Sequence, residues 1–272
     1  MIISRRAICS ILPIFFAAVL QVASAQEFEP SVGQEGKDVI WVPTPEYLVE
    51  AMLDMAKVTP DDYLIDLGSG DGRIVIAAAK RRVRALGIEY NRDMVELSRR
   101  NAQKAGVSDK ASFLNADLFE SDFSKATVIT MYLLPHLNLK LRPTILNMKP
   151  GTRIVSHAFT MGEWSPDQTV EVEGRTAYLW IVPAKVEGVW VWTTDTGKAE
   201  LTINQEFQNI KGTLKLNGKE RPFKDAKLQG DEIRFSTAEG DYVGKVNGNV
   251  IEGVIKTLGR EVKWSATLRP KP

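Results

Sequence analysis

Asp66-Leu67-Gly68-Ser69-Gly70-Asp71-Gly72-Arg73 stands between a short apolar run, residues 63–67, and an alanine-rich stretch, residues 74–82. The first reads as a buried strand and the second as a helix, so the glycines occupy a strand-to-helix turn. Glycine there lets the backbone turn sharply and come close to a ligand. The helix start behind it offers unpaired N–H groups. A Gly-x-Gly turn by itself also serves simple packing, but its surroundings give it weight. Glu89 ends a second strand, residues 85–89, where an acid can hold the hydroxyls of a ribose. Asp117 follows a third strand, residues 111–114. All three acids fall at the carboxyl ends of strands, where open α/β sheets bind ligands.

The loop suits neither NAD nor ATP. Arg73 stands where the dinucleotide fingerprint wants a third small residue, and the Gly-Lys-Ser/Thr of a P-loop is absent. Asp66 and Asp71 would sit badly beside a pyrophosphate; they suit a ligand with cationic groups. Further along, a capped helix start at Thr44-Pro45-Glu46 precedes Leu48, Met52 and Met55 on one face. Helices are expected over 93–105 and 137–148, strands over 127–132 and 153–156, and a hairpin over 169–172 and 176–182. This is the rhythm of an α/β, doubly wound parallel sheet.

With these residues in place, the chain resembles the class I S-adenosylmethionine-dependent methyltransferases, through DLGSGDGRI (66–74), GIEYN (87–91), NADLF (115–119) and TMYLLP (130–135). More narrowly, VPTP (42–45), DLGSGDGRIVIAAA (66–79) and YLLP (132–135) resemble the small protein-lysine methyltransferases related to the mitochondrial enzymes that modify ATP synthase. The resemblance spans residues 41–184 and implies a seven-stranded Rossmann-like sheet with S-adenosyl-L-methionine as cofactor. It implies that Asp66 and the backbone of Gly68 and Gly70 face the amino-acid end of the cofactor. Asp71 steers its charge, Glu89 takes the ribose hydroxyls, and Asp117 accepts from the adenine amine with Tyr90 and Leu118 beside the ring. On the acceptor side it implies Tyr132 and Pro135, at the end of the fourth strand, as the catalytic pair. The implied substrate is a protein lysine. A small amine, lipid or quinone-like acceptor is the alternative, as is an exported binding module whose methyltransferase fold is inactive. His136 and His157 read more simply as structural residues, and Trp41 and Trp164 as lining of the substrate mouth or core.

The two ends differ from this middle. Residues 1–25 carry Arg5-Arg6, an apolar stretch and Ala23-Ser24-Ala25, the layout of a secretory signal peptide, and the paired arginines also fit twin-arginine export. Membrane contact is expected through this segment alone, and the mature protein is expected to be periplasmic, with an uncleaved membrane anchor as the alternative. Cleavage after Ala25 removes Cys9, the single cysteine, and leaves 33 Lys/Arg against 34 Asp/Glu, a net −1. That excludes thiol catalysis in the mature chain and gives no charge-driven affinity for nucleic acid. No Cys/His cluster offers a metal site. No residue pattern sets an oligomeric state. Residues 26–40 read as a polar lead-in. Residues 185–272 hold 10 of the 20 glycines, between short alternating runs. Counting from Gly188 gives about eight strands, with turns at Asn217-Gly218, Gly230-Asp231, Gly240-Asp241 and Asn247-Gly248. This predicts a small antiparallel β-barrel or meander, lipocalin-like, either a cup for an apolar ligand or a docking or stabilising appendage.

Overall fold

The computed structural model describes residues 28–270 apart from 196 and 258. The expected signal segment lies outside the described residues. Helix α1 (Glu46–Met55) opens an alternation of strand and helix: β1 (Tyr63–Leu67), α2 (Arg73–Lys80), β2 (Arg84–Glu89), α3 (Arg92–Lys104), β3 (Ala111–Asn115), β4 (Val128–Met131), α4 (Pro135–Ile145) and β5 (Arg153–His157). The hairpin β6 (Gln168–Val172) and β7 (Arg175–Ile181) completes a seven-stranded sheet of order β3-β2-β1-β4-β5-β7-β6. The pairs among β1 to β5 are parallel and β7 runs antiparallel to both of its neighbours.

The strands are apolar on both faces because both are covered. Leu64, Val128 and Val155 point to α1, α2 and α3, whose Leu48, Met52, Val75 and Val95 share their core. Their chain neighbours Ile65, Ile129 and Ile154 point the other way, to Leu137, Leu141 and Ile145 of α4. The period-2 alternation thus feeds two cores at once. Connections leave β1 in one direction and β4 in the other, so the carboxyl ends of these two neighbours flank the switch point where such sheets form a crevice.

The C-terminal part is a nine-stranded antiparallel sheet: β8 (Gly188–Thr194), β9 (Gly197–Glu206), β10 (Asn209–Leu216), β11 (Lys219–Pro222), β12 (Lys224–Gln229), β13 (Glu232–Thr237), β14 (Gly240–Asn247), β15 (Val250–Thr257) and β16 (Arg260–Leu268). β8 pairs with both β9 and β16, which curls the meander into a nearly closed barrel with β11 and β12 at its free edges. This is one strand more than the spacing predicts. All four residues of β11 are exposed, so it carries no apolar alternation to read. The turn between β10 and β11 is Asn217-Gly218, both at positive φ (50° and 79°), the conformation that a two-residue hairpin needs. The turn expected at Asn247-Gly248 sits one residue on, because Asn247 pairs with Val250. Inside, Trp190, Trp192, Phe223, Phe235, Tyr242 and Trp264 form a buried cluster, with Phe235 and Tyr242 stacked at 4.6 Å.

Barrel and sheet are joined by specific contacts. Ala184 N donates to Gly230 O (2.8 Å), and Gln208 Nε2 donates to Ser165 O (2.7 Å). Phe207, at the β9–β10 turn, stacks on Trp164 at 6.0 Å. Trp164 is completely buried there, so it belongs to the junction of the two sheets and not to the substrate mouth.

Candidate active site

The strand-end acids line one cleft of about 310 Å³ at the β1/β4 switch point. Its floor is the glycine turn. Gly68 N and Ser69 N both donate to Ile88 O, Gly70 N donates to Glu89 Oε2 (3.0 Å), and Gly72 N donates to Ser69 O. These N–H groups are therefore already partnered within the protein. A phosphate cradle works by leaving such groups free. The loop instead presents carboxylates.

Asp66, one residue before the end of β1, has 2% of its surface exposed, and Thr130 Oγ1 donates to it at 2.7 Å. Burial pushes its carboxyl up to about 7, helped by the like charges of Glu89 and Asp71. Glu89 bridges two elements: one oxygen accepts from Gly70 N and the other from Asn91 N (2.8 Å). Burial raises its carboxyl as well, against these two bonds. Each oxygen keeps a lone pair for a further donor. Asp71 is held in a two-pronged pair by Arg73, whose Nε and second terminal nitrogen reach it at 2.9 and 2.6 Å. Arg73 thereby offsets part of its expected steering charge, and Asp71 in turn fixes Arg73 in the loop. Asp117 accepts from Phe119 N (2.9 Å) and pairs with Lys37, which holds its carboxyl below the ordinary range. Tyr90 and Leu118 line the same end, with the Lys37 ammonium 4.6 Å from the Tyr90 ring centre.

On the acceptor side, Tyr132 follows β4, is half-buried, and lines the cleft with Leu134, Leu137 and Phe159. Pro135 is absent from the lining. It is exposed at the first turn of α4, where a proline costs no hydrogen bond, and its place in the fold is to start that helix. His136 is exposed, whereas His157 is fully buried behind Tyr132.

The sequence reading missed one wall. Residues 34–44 run along the cleft, closed into a small turn by Gly33 N→Trp41 O, Trp41 N→Gln34 O and an antiparallel bridge between Glu35 and Ile40. Trp41 packs so near the glycine turn that a Cβ on Gly70 would lie 2.7 Å from its Nε1. The apolar run Val39-Ile40-Trp41-Val42 is the feature that could have revealed it.

A ligand for this cleft must bring donors to three acids, at least one of them cationic, and a flat apolar group for Tyr90 and Leu118. S-adenosylmethionine has an ammonium, ribose hydroxyls and an adenine in that order, and the donor-hungry acids fit it. The ANTKMT methyltransferase domain model matches residues 66–168. A protein-lysine N-methyltransferase of Saccharolobus islandicus is 44% identical over 151 residues, 53% of this chain and 94% of that protein. The chain belongs to this methyltransferase family. Its cofactor is S-adenosylmethionine. The crystal structure of an RNA methyltransferase from Salinibacter ruber in complex with S-adenosyl-L-homocysteine is similar to the methyltransferase (TM-score 0.52, 52% identity), covering 53% of this chain and 96% of that one. A mouse ATP synthase lysine N-methyltransferase is 38% identical over 107 residues, 39% of this chain and 43% of that enzyme.

Proposed function

We propose that this methyltransferase N-methylates a protein lysine, holding its cofactor with Asp66, Glu89 and Asp117 and its acceptor amine beside Tyr132. The carrying observation is the arrangement of the cleft: three strand-end acids at one end and the apolar lining of Tyr132, Leu134, Leu137 and Phe159 at the other. The match over nearly the whole of a protein-lysine N-methyltransferase supports it. Bound S-adenosylmethionine supplies a methyl group on a sulfonium, already a good leaving group, so the protein's work is positioning and desolvation. Asp66 takes the ammonium, Glu89 the ribose hydroxyls, and Asp117 the adenine amine once Lys37 shares or yields it. An acceptor lysine must be neutral to attack, and its ordinary pKa is about 10.4. Apolar walls disfavour the ammonium and lower that value. The Tyr132 phenol and the backbone at the end of β4 orient the nitrogen. RNA, named for the Salinibacter ruber relative, is the less supported acceptor, since a net charge of +1 gives little phosphate attraction.

The proposal includes export, with cleavage after Ala25 and a mature chain starting at Gln26. S-adenosylmethionine is a cytoplasmic product, so an exported enzyme would carry at most the cofactor it left with, and methylation before export is the consistent route.

Purified protein given methyl-labelled cofactor and separated protein, RNA, lipid and small-molecule fractions is expected to label protein alone, as methyl-lysine after hydrolysis. Label in RNA or lipid would reject the lysine assignment. Amino-terminal sequencing of the cell-fractionated protein should begin at Gln26.

A further inference from the structure

His157 ends β5 with its side chain completely buried and its ring centre 3.8 Å from that of Tyr132, the planes 30° apart. Its Nδ1 and Thr44 Oγ1 are hydrogen-bonded at 3.0 Å. Its Nε2 has no hydrogen-bond partner among the described residues. The backbone just beyond is forced: Ala158 has φ +64°, and Phe159 N donates back to His157 O at 2.8 Å. A non-glycine residue in this region is strained by about 1–2 kcal/mol, and such strain persists where the surroundings impose it. The turn brings the Phe159 ring 6.1 Å from Tyr132 and 23° off parallel, so Tyr132 stands in a set of three rings.

Thr44 also faces the cofactor side. Its carbonyl accepts from Arg73 (2.9 Å), and Arg73 grips Asp71. A continuous series of contacts, Asp71–Arg73–Thr44–His157–Tyr132, therefore joins the glycine turn to the acceptor side. His157 is badly placed to act as a base. Desolvation pushes its imidazole down to about 4, with the Arg175 charge adding to this, so it stays a neutral imidazole at physiological pH.

We propose that His157 is a positioning residue: anchored by Thr44, it sets the plane of the Tyr132 ring and so fixes where the acceptor meets the methyl group. This rests on the reading that Tyr132 orients the acceptor, whatever that acceptor is.

His157→Phe keeps a ring and removes Nδ1; Thr44→Val removes the hydroxyl at similar volume. Each is expected to lower kcat about 10- to 100-fold through misplacement, with the Kd for S-adenosylmethionine within about twofold of wild type. In a Tyr132→Ala background, His157→Phe is expected to add no further loss, because its effect runs through that ring. Additive losses, or cofactor affinity falling in step with kcat, would overturn the proposal. A second readout needs no turnover. The chain has 2 histidines, so in His136→Gln protein an ¹⁵N-histidine spectrum reports His157 alone. At pH 6 it should show a neutral imidazole whose Nδ1 shift moves on Thr44→Val. A charged ring, or one indifferent to Thr44→Val, contradicts the proposal even if no acceptor takes label, the result that sinks the methyl-transfer reading itself.

Discussion

Asp66→Asn is expected to yield a protein that is more stable than wild type at pH 8 and binds its cofactor roughly 10- to 100-fold more weakly. The carboxyl is buried, with Thr130 Oγ1 as its donor. Its pKa in the fold is raised to about 7, by burial first and then by the neighbouring charges of Glu89 and Asp71. In the unfolded chain it titrates near 3.9. Between these values the native protein keeps a proton that the unfolded chain has released, so stability falls as pH rises through this window and stays reduced above about 7. Asn has the same shape without the charge and can still accept from Thr130. It should recover a few kcal/mol at pH 8 and nothing at pH 3, below both values. The same change removes the partner of the cofactor's ammonium. A charge-assisted hydrogen bond contributes about 1.5–3 kcal/mol, so the Kd should rise roughly 10- to 100-fold. Denaturation at pH 3 and pH 8 with a binding titration reads both effects. Unchanged affinity in Asp66→Asn would remove Asp66 from the cofactor site.

Gly70→Val should disable the turn. Gly70 has φ +53°, and a Cβ there would lie 2.7 Å from Trp41 Nε1. Its N–H donates to Glu89 and its carbonyl accepts from Ser98 Oγ (2.9 Å), so the backbone cannot swing away without breaking both bonds. A β-branched residue adds left-handed strain of about 1–2 kcal/mol or more and pushes Trp41 off the turn. Cofactor affinity should fall beyond detection while the barrel, with its own core, stays folded. Steric and backbone contributions separate in a second comparison. Gly70→Ala combined with Trp41→Ala should bind more tightly than Gly70→Ala alone, because the double change frees space but leaves the φ penalty. Wild-type affinity in Gly70→Val would contradict the packing of the turn against Trp41.

Much of this site was legible because it is local. The β1 run, the glycine turn and the α2 stretch follow one another in sequence, and Glu89 and Asp117 are fixed by the ends of neighbouring apolar runs. Strands β1 to β7 fall within about one residue of their expected places. What escaped the reading depends on contacts between distant residues. The Asp71–Arg73 pair is local but reaches Thr44, 29 positions away, and the Lys37–Asp117 pair spans 80. No periodicity encodes either. Residues 34–40 look like a polar lead-in because their polar side chains face a cleft rather than a core. For Trp164 the sequence leaves substrate mouth and core open, and Phe207, from the other sheet, settles it as core. Strand β11 was invisible for the opposite reason, being exposed along its whole length.

Calorimetric titration of S-adenosylmethionine into the wild-type protein at pH 6.5, repeated in buffers of different ionisation enthalpy, tests the central claim most directly. At that pH Asp66 holds its proton in most free molecules. An ammonium docked against it should expel that proton, so binding is predicted to release protons at pH 6.5 and far fewer at pH 8.5. Binding with no proton released at pH 6.5, or no binding at all, would contradict an acid-lined cleft that recognises its cofactor through Asp66.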